Sequence, residues 1–490
     1  MENQLDNHKP KVLVIHALRP TSRQTTMDHL LSFREHLPHA DVQYLHFQQP
    51  LPKDLGEVSP DLLIVNYDYL NYRFSPLWPF IKHRHKDIAD RAGKVVAIAQ
   101  DDFWANKLLD DWCMDWNVDR ILTPIDNDRD VLYPKSIKSK EFRTGLTGYV
   151  KSGPVPLTKP LSERTIDLGQ RVRDMPPHLG RLAQAKARQA VVMADAARSA
   201  GFVVDVSTRV EDSFIGTAWF DFLSSCKFTV GMKGGASLHD PRGLIHTKVQ
   251  SYRVRHPEAT FDEIEQHCFK GKDMKYEFTA ISPRLFESAM AGTCQILQRE
   301  DYLGVLEPWR DYIPLEADYS NMNEVLEAMK DLDKCQLIVE NAKKALVESK
   351  FFDYSQLVKA ATDGLLRSTK QVDSSAWGEL SEFLSKAAST ASKVSFELHD
   401  SSLYVIQEEI LNWSESQFEK FVHFLERRQL SKVAEEFQAN VSFMHVLDAL
   451  ESAVCLDWLV DLAISARGDS MSLRTAWIWR PIPPEEESSI

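Results

Sequence analysis

The residues best suited to chemistry fall in three stretches, and the first runs SPRLFESAMAG from Ser282 to Gly292. Ser282 and Pro283 spell a helix start, Leu285, Phe286, Ala289 and Met290 recur at helical spacing, and Gly292 ends the helix. The free backbone N–H groups and positive dipole end of such an opening, with Arg284 in the first turn, favour a bound phosphate. Glu287 follows on the same helix, where its carboxylate can accept hydrogen bonds from both hydroxyls of a ribose. Phosphate donors and a ribose acceptor on one short helix point to a nucleotide-sugar site.

The second stretch, FTVGMKGGASLHDPRGLIHTK, spans Phe228 to Lys248. A short apolar run ends at Gly231. Beyond it Lys233 stands beside Gly234 and Gly235, where backbone without Cβ atoms can approach phosphates or sugar hydroxyls. G-x-x-x-x-G-K-[ST] is absent, so this is no Walker loop. Asp240 reads in two ways: as the cap of a turn fixed by Pro241 and closed by Gly243, or as a carboxylate nucleophile or general base, with His246 as its acid/base companion. Lys233 and Arg242 would hold the hydroxyls or carboxylate of the sugar. Arg171, Arg173, Arg181 and Lys186 cluster upstream near a strand end, and Arg171 and Arg173 suit an anionic donor. Arg253, Arg255, His256, Lys270, Lys272 and Lys275 concentrate positive charge just before the SPR helix.

The third group is acidic: Asp68 after Asn66-Tyr67, then Asp101 and Asp102 after Gln100. Each follows an apolar run, at the strand ends where open α/β sheets place ligands. Adjacent aspartates invite a metal, but a carboxylate metal site needs several converging ligands. No metal is expected, and the three aspartates are expected to face the acceptor.

These groups must be positioned by alternating strands and helices. KVLVIHAL (11–18) suits a buried parallel strand, and further strands are expected over 42–47, 62–66, 95–99 and 120–124, with helices near 27–37, 77–90 and 104–114. This makes residues 1–135 a Rossmann-like, acceptor-side domain without a glycine fingerprint. Residues 136–163 are polar and rich in Pro and Gly and read as a linker. A second Rossmann-like domain over 164–373 would bind the donor and end in closing helices, and 374–490 reads as a mainly helical appendage. The expected fold is α/β, with two such domains facing a cleft.

Composition narrows the function. With 43% hydrophobic and 26% charged residues in 490, the chain is ordinary for a globular protein. Its formal net charge of −13 argues against nucleic acid as a partner, since non-specific binding to it draws on clustered cations. Six scattered cysteines without C-x-x-C indicate neither zinc nor disulfides and suit a reducing cytosol. A polar N-terminus and the lack of a long apolar run suit a cytoplasmic protein, soluble or peripheral at the inner face of the membrane. Trp458, Trp477 and Trp479, flanked by Arg474 and Arg480, make the appendage a surface for a protein partner or a membrane.

R-L-F-E-S-A-M-A-G-T followed by an apolar strand resembles the donor-site helix of GT-B glycosyltransferases, and together with the two alternating units the resemblance covers about residues 10–370. The G-G-A-S-L-H-D-P-R-G segment is similar to segments of bacterial retaining β-Kdo transferases, which build surface polysaccharides from a CMP-activated acidic sugar. The resemblance implies a nucleotide-sugar donor as substrate with no cofactor, a glycan or glycolipid acceptor, and Asp240 as nucleophile. An inverting route would instead take a base from Asp68, Asp101 or Asp102. Two other readings stay open: a non-catalytic nucleotide-, sugar- or protein-binding module of the same fold, and an epimerase or phosphorylase.

Overall fold

The computed structural model describes residues 9–18, 24–47, 58–74, 78–151, 153, 158–209, 211–214, 218–366, 377–378 and 380. The appendage expected over 374–490 lies almost wholly outside the described residues.

The first sheet consists of β1 (Lys11–His16), β2 (Asp41–His46), β3 (Leu62–Val65), β4 (Lys94–Ile98), β5 (Arg120–Thr123) and β6 (Glu141–Thr144). They are all parallel, in the order β2-β1-β3-β4-β5-β6. β1 and β3 are near-continuous apolar runs because helices cover both faces of the sheet; Val12, Leu13, Val14 and Ile15 are fully buried. β6 falls inside the stretch read as a linker. It is an edge strand whose Glu141 and Arg143 face solvent, which is why its sequence looks like a loop.

The second sheet consists of β7 (Ile166–Arg171), β8 (Val204–Ser207), β9 (Cys226–Gly231), β12 (Cys294–Gln298) and β13 (Ile313–Leu315), again parallel, in the order β13-β12-β9-β7-β8. A separate antiparallel ribbon pairs β10 (Gly234–Ala236) with β11 (Phe278–Ala280). The Gly234-Gly235 pair is thus strand rather than phosphate loop. A Cβ on Gly235 would collide with the Phe278 carbonyl oxygen, so glycine is required there by the neighbouring strand. The segment between the two ribbon strands forms a helical insertion with its own small core of Leu238, Ile245, Val249, Ile264, Cys268 and Phe269.

The domains meet over a broad front. The Tyr354–Thr362 helix returns to the first domain: its Tyr354 hydroxyl donates to Thr25 O (3.1 Å), and buried Arg120 of β5 donates to the carbonyls of Ala360 (3.1 Å) and Asp363 (2.8 Å). Ala105 N donates to Asp240 O (3.1 Å) and Lys107 N to Pro241 O (3.0 Å), joining the helical insertion to the first domain. Thr147 Oγ1 donates to Ile281 O (2.6 Å), and a Cβ on Gly148 would lie 2.8 Å from Pro283. The architecture is GT-B-like: two Rossmann-like domains, face to face, closed by a returning C-terminal helix.

Candidate functional site

In a doubly wound sheet the crevice opens where the chain turns from one side to the other. In the second sheet that point lies between β7 and β9, since β8 extends one side and β12 and β13 the other. A narrow cleft, partly open to solvent, sits there. Thr229 and Gly231 of β9, with Gln295 and Leu297 paired beside them on β12, contribute to its lining. The polar lining comes from Gln170, Lys186, Trp219, Ser282, Arg284 and Ser288.

Each polar group is held by its neighbours. Lys186, on the Arg181–Ser199 helix, donates to Ser282 Oγ at 3.1 Å. Arg284 Nη1 donates to Gln170 Oε1 at 3.2 Å and its guanidinium lies 5.1 Å from the centre of the Trp219 ring. The Gln170 amide is fixed in turn, its NH₂ on Val230 O and its oxygen accepting from Arg171 N (2.9 Å). Lys233 follows Met232 of the lining and stands near Glu300. Burial pushes the Glu300 carboxyl above the ordinary carboxylate range, against the pull of Lys233 and, more weakly, Lys186. Two cations, Lys186 and Arg284, therefore line the cleft. The helix expected from Ser282 is the seven-residue Arg284–Met290, and Ser282 Oγ makes no cap bond to it. Its hydroxyl faces Lys186 instead.

Glu287 is buried at 8% exposure. Oε2 accepts from Trp219 Nε1 at 2.7 Å and Oε1 from Thr25 Oγ1 of the first domain at 3.1 Å. One carboxylate thus accepts two donors, the arrangement a ribose diol would offer.

The other residues singled out in the sequence lie elsewhere. Arg171 turns away to Asp205 (2.8 Å) and packs on Phe222 (4.3 Å). Arg173 is exposed, near enough to Asp101 of the first domain for their charges to attract. Arg242 is exposed on the side of Lys135. Asp240, only 3% exposed, accepts the amide of His246 at 2.8 Å, and the amides of Ile245 and Leu244 also support its charge. It accepts from the first turn of the Leu244–Arg255 helix, whose N-cap residue is Gly243, while burial raises its carboxyl above the usual range. His246 packs against His178 (4.3 Å) and Trp104 (4.8 Å) at the domain junction. His178 is buried there and its ring is driven down to about 2, mainly by burial.

Of the acceptor-side aspartates, Asp102 is fully buried, accepting from Thr123 Oγ1 and from the Tyr133 hydroxyl (2.8 Å), and belongs to the interior of the first domain. Asp101 is exposed, in a left-handed conformation (φ 51°), and its carbonyl accepts from buried Arg73 at 2.8 Å. Asp68 Oδ1 accepts from Asn66 Nδ2 and Tyr69 N, both at 2.9 Å, and burial pushes its carboxyl up to about 6. It stands at the carboxyl end of β3, near His16 and His46 at the ends of β1 and β2.

The structure thus gathers Ser282, Arg284 and Glu287, adds Lys186, Gln170 and Trp219, leaves Lys233 beside Glu300, and separates them from Arg171, Arg242, Asp240 and His246. Lys186 stood in the basic cluster of the sequence; nothing local marked Gln170 or Trp219. Among the described residues no group of three or more His, Cys, Asp or Glu could hold a metal, and no helix is long and apolar enough to cross a membrane.

No family model matches the chain, and none of the curated proteins compared with it does. Solved structures do match. HepE from Anabaena, in complex with UDP and glucose, is 11% identical and covers 71% of this chain and 97% of its own, with a TM-score of 0.40. An α-glucosyltransferase in complex with UDP-glucose and DNA containing an abasic site is 10% identical over 72% of this chain and 100% of its own, with a TM-score of 0.44. TarM is 9% identical over 61% of this chain and 53% of its own, with a TM-score of 0.36. The expectation that nucleic acid is excluded as a partner is corrected by these DNA complexes, which include duplicates with a 13-mer carrying an HMU base. Net charge is a whole-chain average and says nothing about a local basic face.

Proposed function

We propose that the protein is a glycosyltransferase that moves a sugar from a nucleotide-activated donor to a glycan or glycolipid acceptor. The observation that carries this reading is the pair of cations Lys186 and Arg284 lining the cleft at the switch point of the second sheet, Lys186 on Ser282 and Arg284 on Gln170, with Glu287 one helical turn away. The bond between the anomeric carbon and the donor phosphate breaks, and the cations stabilise the charge left on that phosphate. Glu287 holds the ribose. The acceptor hydroxyl forms the new bond and its proton passes to a base on the first-domain side, for which exposed Asp101 and Asp68 at the carboxyl end of β3 are the candidates. A retaining route through Asp240 as nucleophile would require its carboxylate to leave the helix amides from which it accepts. CMP-Kdo is one donor to test, since cations lining the cleft suit an acidic sugar.

Isothermal titration with CMP, UDP, GDP and CMP-Kdo tests the reading on the wild type and on Lys186→Ala. One nucleotide should bind, and losing a charged hydrogen bond to its phosphate should weaken it roughly 10- to 100-fold. Failure of the wild type to bind any of the four at millimolar concentration would remove the reading.

A further inference from the structure

The carboxylate of Glu287 already has protein partners on both oxygens. Trp219 Nε1 donates to Oε2 at 2.7 Å and Thr25 Oγ1 to Oε1 at 3.1 Å, and the residue is only 8% exposed. Among the described residues the lining of the cleft includes Trp219, Arg284, Leu285 and Ser288 but not Glu287. The carboxylate that would accept a ribose diol is thus covered by two donors standing where the diol would be. A ribose reaches it only by displacing one of them.

The two donors differ in how they are tied. Trp219, on the Ala218–Ser225 helix, belongs to the same domain as Glu287, makes the shorter bond and carries the Arg284 guanidinium 5.1 Å from its ring centre. Thr25 comes from the other domain, in the first turn of the Gln24–His36 helix, and makes the longer bond. Its backbone is held in place from outside that helix, because the Tyr354 hydroxyl donates to Thr25 O at 3.1 Å. Asp28, one turn on, pairs with Lys151 at 3.0 Å. Beside them the two chain crossings bond to each other, Val150 N to Phe352 O (2.7 Å) and Tyr354 N to Val150 O (3.1 Å). The Thr25 hydroxyl therefore meets Glu287 where both connections between the domains run together.

We propose that Thr25 is a latch on Glu287: its hydroxyl holds the carboxylate oxygen that a ribose hydroxyl takes when a nucleotide enters, so that donor binding breaks a contact between the domains. This rests on the glycosyltransferase reading for the nature of the ligand and goes beyond it in naming what the ligand displaces. A buried carboxylate left without donors is costly, so the latch keeps Glu287 paired until the diol replaces the hydroxyl. Nucleotide affinity is lowered accordingly, since the competent arrangement is reached only with the latch undone.

Isothermal titration of the full chain with CMP, UDP and GDP, and with their 2′-deoxy counterparts, tests this on the wild type, Thr25→Val and Thr25→Ser. Valine keeps the shape and removes the hydroxyl, so the ribonucleotide should bind roughly tenfold tighter, as expected for one hydrogen bond to a charged group. The deoxy form, with one hydroxyl fewer for Glu287, should gain less. Serine keeps the hydroxyl and should bind as the wild type does. In buffer alone Thr25→Val should melt below the wild type, and saturating nucleotide should close that gap, because the complex no longer uses the hydroxyl. Equal or weaker binding by Thr25→Val, or a melting deficit that nucleotide leaves unchanged, would overturn the latch and leave the transferase reading standing. A wild type that binds none of the three ribonucleotides removes that reading and the latch with it.

Discussion

His29 offers a sharp test of how the interior is wired, because it is a titratable ring packed among the rings of Tyr67, Tyr149 and Tyr354. It lies 1% exposed on the Gln24–His36 helix, edge-on to Tyr67 (5.1 Å) and Tyr354 (6.3 Å), and among the described residues neither ring nitrogen is hydrogen-bonded. Burial drives it from 6.5 down to about 3. The folded chain therefore holds it neutral where the unfolded chain takes up a proton. Its contribution is intact above pH 6.5 and is lost as pH falls from there toward 3. Between pH 8 and pH 4.5 the single proton costs about 3 kcal/mol, roughly two pKa units at 1.36 kcal/mol each. His29→Phe removes that proton and keeps an aromatic ring among the tyrosines. Any packing penalty of the larger ring is the same at both pH values, so the difference in pH slope isolates the proton. Urea denaturation at the two pH values should show the wild type losing about 3 kcal/mol more than the variant. Identical pH slopes would refute the reasoning and place a hydrogen-bond partner or solvent at the ring.

Two further substitutions separate readings that the sequence left together. Asp240→Ala strips the acceptor from three amides and should lower stability by about 2 kcal/mol, whereas Asp240→Asn keeps an acceptor and should restore most of it in thermal denaturation. Turnover that vanishes in the Asn variant at native stability would mark Asp240 as the nucleophile; turnover that follows stability would leave it a structural acceptor. Gly235→Ala should destabilise by about 2 kcal/mol or more, because its Cβ meets the Phe278 carbonyl, while Gly234→Ala meets nothing and should stay within about 0.5 kcal/mol. Equal effects at both positions in chemical denaturation would argue against the β10–β11 pairing.

The strands of both sheets were legible where burial on two faces leaves an unbroken apolar run, as in KVLVIH and LLIV. β6 was hidden because an edge strand needs no such run, and its Arg143 and Glu141 pair with each other at 2.8 Å in solvent. The glycine pair misled for a different reason. Gly235 is fixed by β11, far along the chain, and a local pattern cannot reveal a backbone that approaches from outside. The cleft was half legible: Ser282, Arg284 and Glu287 sit on one continuous motif, but Lys186, Gln170 and Trp219 reach it from three other elements. Asp240 shows the limit most plainly, since the residue types that cap a helix are those that can attack a sugar, and only its amide partners distinguish the first role.

Charge divides the two sides of the cleft. Burial lowers His16 to about 3, helped by His46, and His46 itself to about 4, so at neutral pH the strand ends of the first domain carry no imidazolium charge. On the glycosyltransferase reading, attraction for a phosphate then falls to the second domain, where Lys186 and Arg284 line the cleft. On the first-domain side the same burial that silences the histidines pushes Asp68 up to about 6, toward the range in which a carboxylate best accepts a proton near neutrality. One physical cause, desolvation at the strand ends of the first domain, thus silences His16 and His46 and raises Asp68, and the proposed transfer would draw on it by leaving the donor phosphate to the second domain and a weak base to the first.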